Sequence, residues 1–211
     1  MNKICFLSVA FGHRYIEQQT RMYQSVVAIH PDAAMICWTE AYPEGAKTHK
    51  ESLYGFKVHA VNVARAAGHD RIVWMDTACI LQEPVDYWFS LGLPVLAAKD
   101  DNGLDKTIGD KAMAYYGNPD ITDMHLVGGS VFVFDFTHPD CEKIFQHWAY
   151  AERKGIFGSQ AEQSSGQLNR HRHDEACMSM ALYQNGYKPL PCDLMRYNQG
   201  KESVIVKQHF K

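Results

Sequence analysis

Ile72-Val73-Trp74-Met75-Asp76-Thr77-Ala78-Cys79-Ile80 is the stretch on which the fold turns. Four apolar residues in a row read as a strand buried on both faces. The run delivers a carboxylate at its end, where it must be solvated, hydrogen-bonded or metal-bound. Upstream, Gly68 closes a helical pattern carrying Tyr54, Val58, Val61 and Ala64, as a C-terminal glycine cap does. Before that helix, Met35-Ile36-Cys37-Trp38 reads as a strand. Tyr15, Met22, Val26 and Ile29 recur on one helical face until His30-Pro31, and link it back to a first apolar run, Ile4 to Ala10. Strand–helix–strand–helix–strand implies right-handed crossovers and an α/β fold with a mostly parallel central sheet flanked by helices. Ligands of such sheets bind beyond the carboxyl ends of the strands. Asp76 falls there, as do the loops after Ala10 and Thr39.

Outward from this core the pattern continues. Pro94 to Ala98 reads as a strand, and Lys99 to Asp123 as a long polar connection of the kind used for functional loops. Leu126 to Phe134 reads as one strand interrupted by Gly128 and Gly129. A helix from Pro139 places Cys141, Ile144, Phe145 and Trp148 on one face. Lys154 to His173, rich in Gly, Ser and Gln, reads as a loop. Asp174 then caps a helix bearing Cys177, Met178, Ala181 and Leu182, and Val204 to Val206 is the last strand. At 211 residues and 24.0 kDa the chain suits a single domain, 1–211.

Composition removes several function classes. With 46% hydrophobic residues, a core forms without disulfides or structural metal. The six cysteines include no Cys-x-x-Cys pair, so they read as small buried hydrophobes in a reducing compartment rather than a zinc site. A net charge of −3 argues against general electrostatic binding to nucleic acid. The N-terminal apolar run is too short for a signal or membrane segment, which points to a cytoplasmic protein.

The candidate site residues each have two readings. Asp76 is a turn aspartate, or a ligand for a divalent cation and a nucleotide ribose; hard Mg²⁺ or Mn²⁺ prefers oxygen donors and bridges phosphates. Lys57 is a solvated helix lysine, or a point charge reaching phosphates. Gly128 and Gly129 inside a strand mark a bulge, or the close approach of a ligand or another backbone. Asp174 and Glu175 fit a helix cap and first turn, or act as carboxylates beside a developing positive charge. His209, flanked by Lys207 and Lys211, is incidental, or returns toward the metal with the lysines near a departing diphosphate. Arg170-His171-Arg172-His173 is a solvated loop, or a basic cluster meeting phosphate.

The order of these motifs resembles that of GT-A-fold glycosyltransferases, especially the glycogenin-like and LgtC-like galactosyltransferase group. A Lys-containing helix (Lys57) precedes an Asp-x-Asp strand (Asp76-Thr77-Ala78). A Gly-Gly strand (Gly128, Gly129) follows, then an Asp-Glu helix start (Asp174, Glu175). Leu190-Pro191 with Tyr197-Asn198 leads to a C-terminal histidine, His209. His173-Asp174-Glu175-Ala176 is also similar to the His-Asp-Glu-Ser of the blood-group-type transferases, whose glutamate faces the anomeric carbon.

The resemblance implies transfer of a sugar from a nucleotide-diphosphate donor, with UDP-sugars favoured, to an acceptor hydroxyl; the basic cluster Arg170–His173 leaves open a glycan or a modified base in DNA as that acceptor. It implies a hexosyltransferase-like enzyme with a nucleotide-binding half (1–99) and a sugar and acceptor half (124–211). Ala10, Phe11, Gly12, Lys57, Asp76, Thr77, Gly128, Gly129, His209 and Lys211 would bind the donor, and Asp174 or Glu175 would act at the anomeric centre. It further implies Mn²⁺ or Mg²⁺ held by Asp76 and His209. The family's second carboxylate is missing, because Ala78 stands in its place, so either another oxygen donor substitutes, the metal is weakly held, or catalysis is metal-independent. A sugar nucleotidyltransferase is the first rival, and its triphosphate loop is glycine-rich where this chain has only Phe11-Gly12-His13-Arg14-Tyr15. A non-catalytic nucleotide-sugar binding protein, suggested by Ala78, is the second.

Overall fold

A computed structural model of the protein describes residues 4–168, 170–196 and 204–207. The elements run β1 (Ile4–Val9), α1 (His13–Ile29), β2 (Ala34–Trp38), α2 (Phe56–Ala66), β3 (Arg71–Met75), β4 (Cys79–Leu81), α3 (Asp86–Ser90), β5 (Val95–Leu96) and β6 (Lys99–Gly103). After a 3-10 turn come α4 (Asp110–Tyr115), β7 (His125–Val127), β8 (Val131–Asp135), α5 (Cys141–Arg153), α6 (Gln160–Ser164), α7 (His173–Gln184), α8 (Cys192–Met195) and β9 (Ile205–Lys207).

The central sheet has the order β2-β1-β3-β8-β5. β1 lies parallel to both β2 and β3, β8 runs antiparallel to β3, and β5 antiparallel to β8. Four of the five strands therefore share one direction, as the alternation of strands and helices predicts. Side chains alternate between two cores. Cys5, Leu7, Ile72, Trp74, Phe132 and Phe134 pack with α2, α5 and α7. Phe6, Val73, Met75, Val131 and Val133 face Met22 and Val26 of α1, Trp88 of α3 and Ile205 of β9. Burial on both faces is why these strands read as continuous apolar runs. The central sheet draws strands from both 1–99 and 124–211, since β8 pairs with β3 along its whole length.

Several sequence expectations need correction. The Leu126–Phe134 run is two strands in different sheets: β7 pairs with β6, and β8 joins the central sheet. The break falls at the glycines, where the Gly128 N–H donates to the Ala98 carbonyl at 2.8 Å and the Gly129 N–H to Glu175 Oε1 at 2.9 Å. Segment 99–123 carries β6 and α4 instead of a long loop; α4 buries only Ala112, too little to impose a helical period on the sequence. Segment 154–173 holds α6, which buries nothing and rests on a capping box between Ser159 and Glu162. The Pro94–Ala98 strand shrinks to Val95–Leu96. α7 begins at His173 with Arg172 in the cap position, so Asp174 sits inside the first turn and is not the cap. β9 pairs antiparallel with β4, in a separate two-stranded sheet.

The cysteines are all free thiols; Cys5, Cys79, Cys141 and Cys177 are buried, Cys192 is half-buried, and Cys37 is exposed. Among the described residues no helix is long and apolar enough to cross a membrane.

Candidate active site

β3 ends at Met75, and the next residue enters a cleft of about 480 Å³ whose wall includes Phe11, Arg14, Tyr42, Trp74, Asp76 and Thr77. The Asp76 N–H donates to the Ser130 carbonyl at 2.8 Å, which fixes the backbone beyond the strand. Its Oδ1 accepts from the Trp74 indole N–H at 3.0 Å and lies 3.8 Å from Lys57 Nζ. The side chain keeps 34% exposure, so the carboxylate is held from below and open above.

Lys57 is not a solvated surface lysine. It projects from the first turn of α2 and is only 2% exposed. Its ammonium donates to the Gly129 carbonyl at 2.8 Å and to Asp174 Oδ2 at 2.7 Å. The rings of Tyr54, Phe132 and Trp74 surround it with centroids 5.1, 5.3 and 5.5 Å away, within cation–π reach. Burial disfavours the charge, but Asp174 and Asp76 outweigh it and hold the lysine above its ordinary pKa. Asp174 is the counter-ion: burial pushes its carboxyl up, and Lys57 pulls it back. One ammonium thus ties together β3, the Gly128–Ser130 turn and the start of α7.

Glu175 has a different environment. Its Oε1 accepts from the Gly129 N–H, and its Oε2 accepts from Arg172 Nε at 2.9 Å and Nη2 at 2.7 Å. Burial, then the neighbouring Asp174, raises its carboxyl above the usual glutamate range. Its side chain retains 16% exposure, against 3% for Asp174.

The close approach marked by the glycines is that of Glu175. A Cβ on Gly129 would stand 2.8 Å from Glu175 Cγ and Oε1, whereas one on Gly128 would have nothing nearer than the Ala98 carbonyl oxygen at 3.7 Å. Gly129→Ala is therefore expected to destabilise by about 1–3 kcal/mol, and Gly128→Ala to change little. Chemical denaturation of the two variants side by side checks this.

The remaining expected residues divide. Phe11 and Thr77 line the cleft. Phe11 lies against Tyr42 with ring centroids 4.2 Å apart and planes tilted by 45°, and Thr77 donates its hydroxyl to Gln18 Oε1 at 3.2 Å. Ala10 is buried, with its N–H on the Trp38 carbonyl. Gly12, at φ 84°, turns the chain into α1. His209 and Lys211 lie outside the described residues, as do Tyr197 and Asn198. β9 does place Lys207 opposite Cys79, three positions after Asp76. Sequence reasoning missed Arg14, Gln18, Tyr42, His49, Tyr54 and Phe56, which complete the wall with Val9, Tyr15 and Ala78. For Tyr42, His49, Tyr54 and Phe56 the signal was a density of aromatic and histidine residues between 42 and 56, in a stretch without period, and for Arg14 and Gln18 there was none.

The Arg170–His173 cluster is split: Arg170 and Arg172 stay exposed, as a solvated loop predicts, while His171 and His173 turn inward. Arg170 donates to the Ile108 carbonyl, Arg172 holds Glu175, and the two histidines are buried. His171 pairs with the Ile156 carbonyl at 2.9 Å and accepts the Gly109 N–H at 3.2 Å. Burial, and then His173, lowers its pKa from 6.5 to about 4. As pH falls the unfolded chain takes up this proton first, so the contribution is complete above the ordinary histidine pKa and lost towards pH 4. The loss is on the order of 3 kcal/mol. Melting temperature should fall across that window, and a His171→Asn variant should show a flatter profile.

For a divalent cation the described residues offer one carboxylate. Ala78 presents a methyl group, Asp76 already has an ammonium beside it, and no cluster of three His, Cys, Asp or Glu occurs among the described residues. Hard cations need about six oxygen donors, so this set alone does not fit one.

No family model matches the chain, and no curated protein does. Solved structures do. A glycosyltransferase involved in the glycosylation of the major capsid of PBCV-1 superposes with TM-score 0.54 at 10% identity, covering 97% of this chain and 92% of that one. The bifunctional glycosyltransferase WbbM gives 0.59 at 9% identity over 100% of this chain and 46% of its own. The glycosyltransferase GlyE of Streptococcus pneumoniae gives 0.55 at 11%, over 100% and 55%. The chain thus spans about half the length of the latter two. Likeness at this identity establishes a shared fold.

Proposed function

We propose that this chain, which has the GT-A-like fold of those glycosyltransferases, moves a sugar from a nucleotide-diphosphate donor to an acceptor hydroxyl. The observation that carries the reading is the ionic floor. An aspartate leaving β3 into a cleft is joined through one buried ammonium to Asp174 in the first turn of α7, from the other half of the chain. In an α/β sheet that is where a ligand sits, and glycosyl transfer needs carboxylates near a carbon that gains positive charge.

Within this reading the cleft takes the donor, with Phe11 and Tyr42 offering an aromatic surface for the base and Asp76 a carboxylate for the ribose. UDP is the favoured nucleotide, on the resemblance. Ala10 and Gly12 shape the loop beneath the base. Gly128 and Gly129 border the sugar. Glu175, the more exposed of the two α7 carboxylates, faces the anomeric carbon, and Asp174 is a positioning residue that keeps Lys57 charged. Lys57 acts on the donor through Asp76, since its own hydrogen bonds go to Gly129 and Asp174. His209 and Lys211 follow β9 and are assigned to the departing diphosphate. The acceptor is a carbohydrate hydroxyl, with a modified DNA base as the variant that salt-dependent DNA binding would reveal.

Mn²⁺ or Mg²⁺ on Asp76 and His209 is part of the same proposal, but no step here runs through it. Incubation with a panel of nucleotide-diphosphate sugars, with and without Mn²⁺, followed by mass spectrometry, tests the reading. Consumption of one donor supports it, and absence of both consumption and binding across the panel overturns it. Ala78 favours one alternative, a binding protein without turnover; donor that binds but is neither transferred nor hydrolysed would select that instead.

A further inference from the structure

A second cavity, of about 500 Å³, opens between α4, α5 and the C-terminal end of α7, and none of its lining residues belongs to the cleft. Three tyrosines build it. Tyr116 is the floor, its ring locked by a hydroxyl contact to the Cys177 carbonyl at 3.5 Å. Tyr115 meets Tyr116 edge-on at 4.8 Å, and lies 6.4 Å from Tyr150 with only 34° between their planes. Tyr150 is 46% exposed.

The polar lining is as selective as the rings. Gln184 supplies a side-chain amide, which both donates and accepts, and Gln146 supplies another whose N–H already donates to Glu142 Oε1 at 2.8 Å. Arg153 lies over the Tyr150 ring at 5.6 Å, and Lys154 lies over the same ring at 5.1 Å. No carboxylate is among the lining residues. Aromatic rings, side-chain amides and cations lying over one of the rings are together chemistry that can hold a sugar ring with an acidic substituent. A purely apolar ligand would make no use of the Gln184 amide and the Arg153 guanidinium, and a free anion would make no use of the rings.

We propose that this cavity is a non-catalytic saccharide site for an acidic pyranose, of the uronate class. It stands at the far end of α7 from the candidate catalytic residue. Glu175 opens that helix and Gln184 ends it, nine residues later and so roughly 14 Å along the axis. A glycan engaged at both places is therefore several sugars long, and the second site would hold a polymeric acceptor while its end is extended.

Titration of the isotope-labelled protein with methyl glucuronide and with methyl glucoside, followed by NMR, tests the proposal. Shifts at Tyr115, Tyr150 and Gln184, with the uronide binding at least about threefold tighter, are expected. Tyr150→Ala should weaken the uronide by about fivefold or more, the size expected for one ring contact. Asp76→Asn should leave this binding unchanged, which separates the second site from the donor cleft. Equal binding of the two sugars removes the acidic preference, and absence of shifts with both overturns the site whether or not a donor is ever turned over. Tyr150→Ala should also keep turnover with a short acceptor while losing it with a long one.

Discussion

Replacing Lys57 with methionine is expected to cost about 3–5 kcal/mol of stability, the penalty for stranding a buried charge. The ammonium has two buried acceptors, the Gly129 carbonyl and Asp174 Oδ2, and Asp174 is itself only 2% exposed. Methionine fills much of the same volume among Tyr54, Trp74 and Phe132, so lost packing is a minor part of the effect. A second substitution separates charge from shape. In Lys57→Met/Asp174→Leu both ions are gone, and most of the loss should return, because an ion pair exchanged as a unit for apolar groups is close to neutral. Denaturant unfolding of the single and double variants measures this. A single variant as stable as the parent would mean that the pair is not ionised in the folded chain.

Asp76→Asn should act the other way, on activity and not on stability. The amide is nearly isosteric, the residue is a third exposed, and its remaining oxygen can still accept the Trp74 indole N–H. Melting should shift little. Turnover of the donor identified by mass spectrometry should fall by about a hundredfold or more, the usual consequence of removing a preorganised charge from a reacting centre. If Asp76→Asn consumes donor at the parental rate, the cleft is not the donor site and the assignment built on β3 falls with it. Lys57→Met/Asp174→Leu gives the complementary result: a restored fold with turnover still lost, because Asp76 no longer has its cation at 3.8 Å.

The parts of the fold legible in sequence are those where burial imposes a period. β1, β3 and β8 are sandwiched between two cores, and α1, α2 and α5 each bury one stripe, so their apolar residues recur as the geometry demands. α6 and β6 bury little and are held by a capping box and a bulged ladder, which leave no such trace. The candidate site divides in the same way. Asp76 is visible because a carboxylate at the end of an apolar strand is costly without a purpose. The burial of Lys57 is invisible, because Asp174 lies 117 positions away and only the folded topology brings the two together. The aromatic wall is hidden because its residues sit between β2 and α2, where nothing periodic organises them. Tyr54 shows this well: a left-handed backbone, φ 61°, aims a ring at the Lys57 ammonium that no propensity would anticipate.

The β4–β9 ladder joins two strands more than a hundred residues apart in the chain. Residues 205–207 leave the ribosome after everything they pack against, and until they arrive one edge of β4 and part of the core around Trp88 and Met195 stay uncovered. Long-range strand pairing of this kind is the slow step in chain assembly. Residues 79–81, just beyond Asp76, therefore gain their ladder partner only after all five strands of the central sheet have been made.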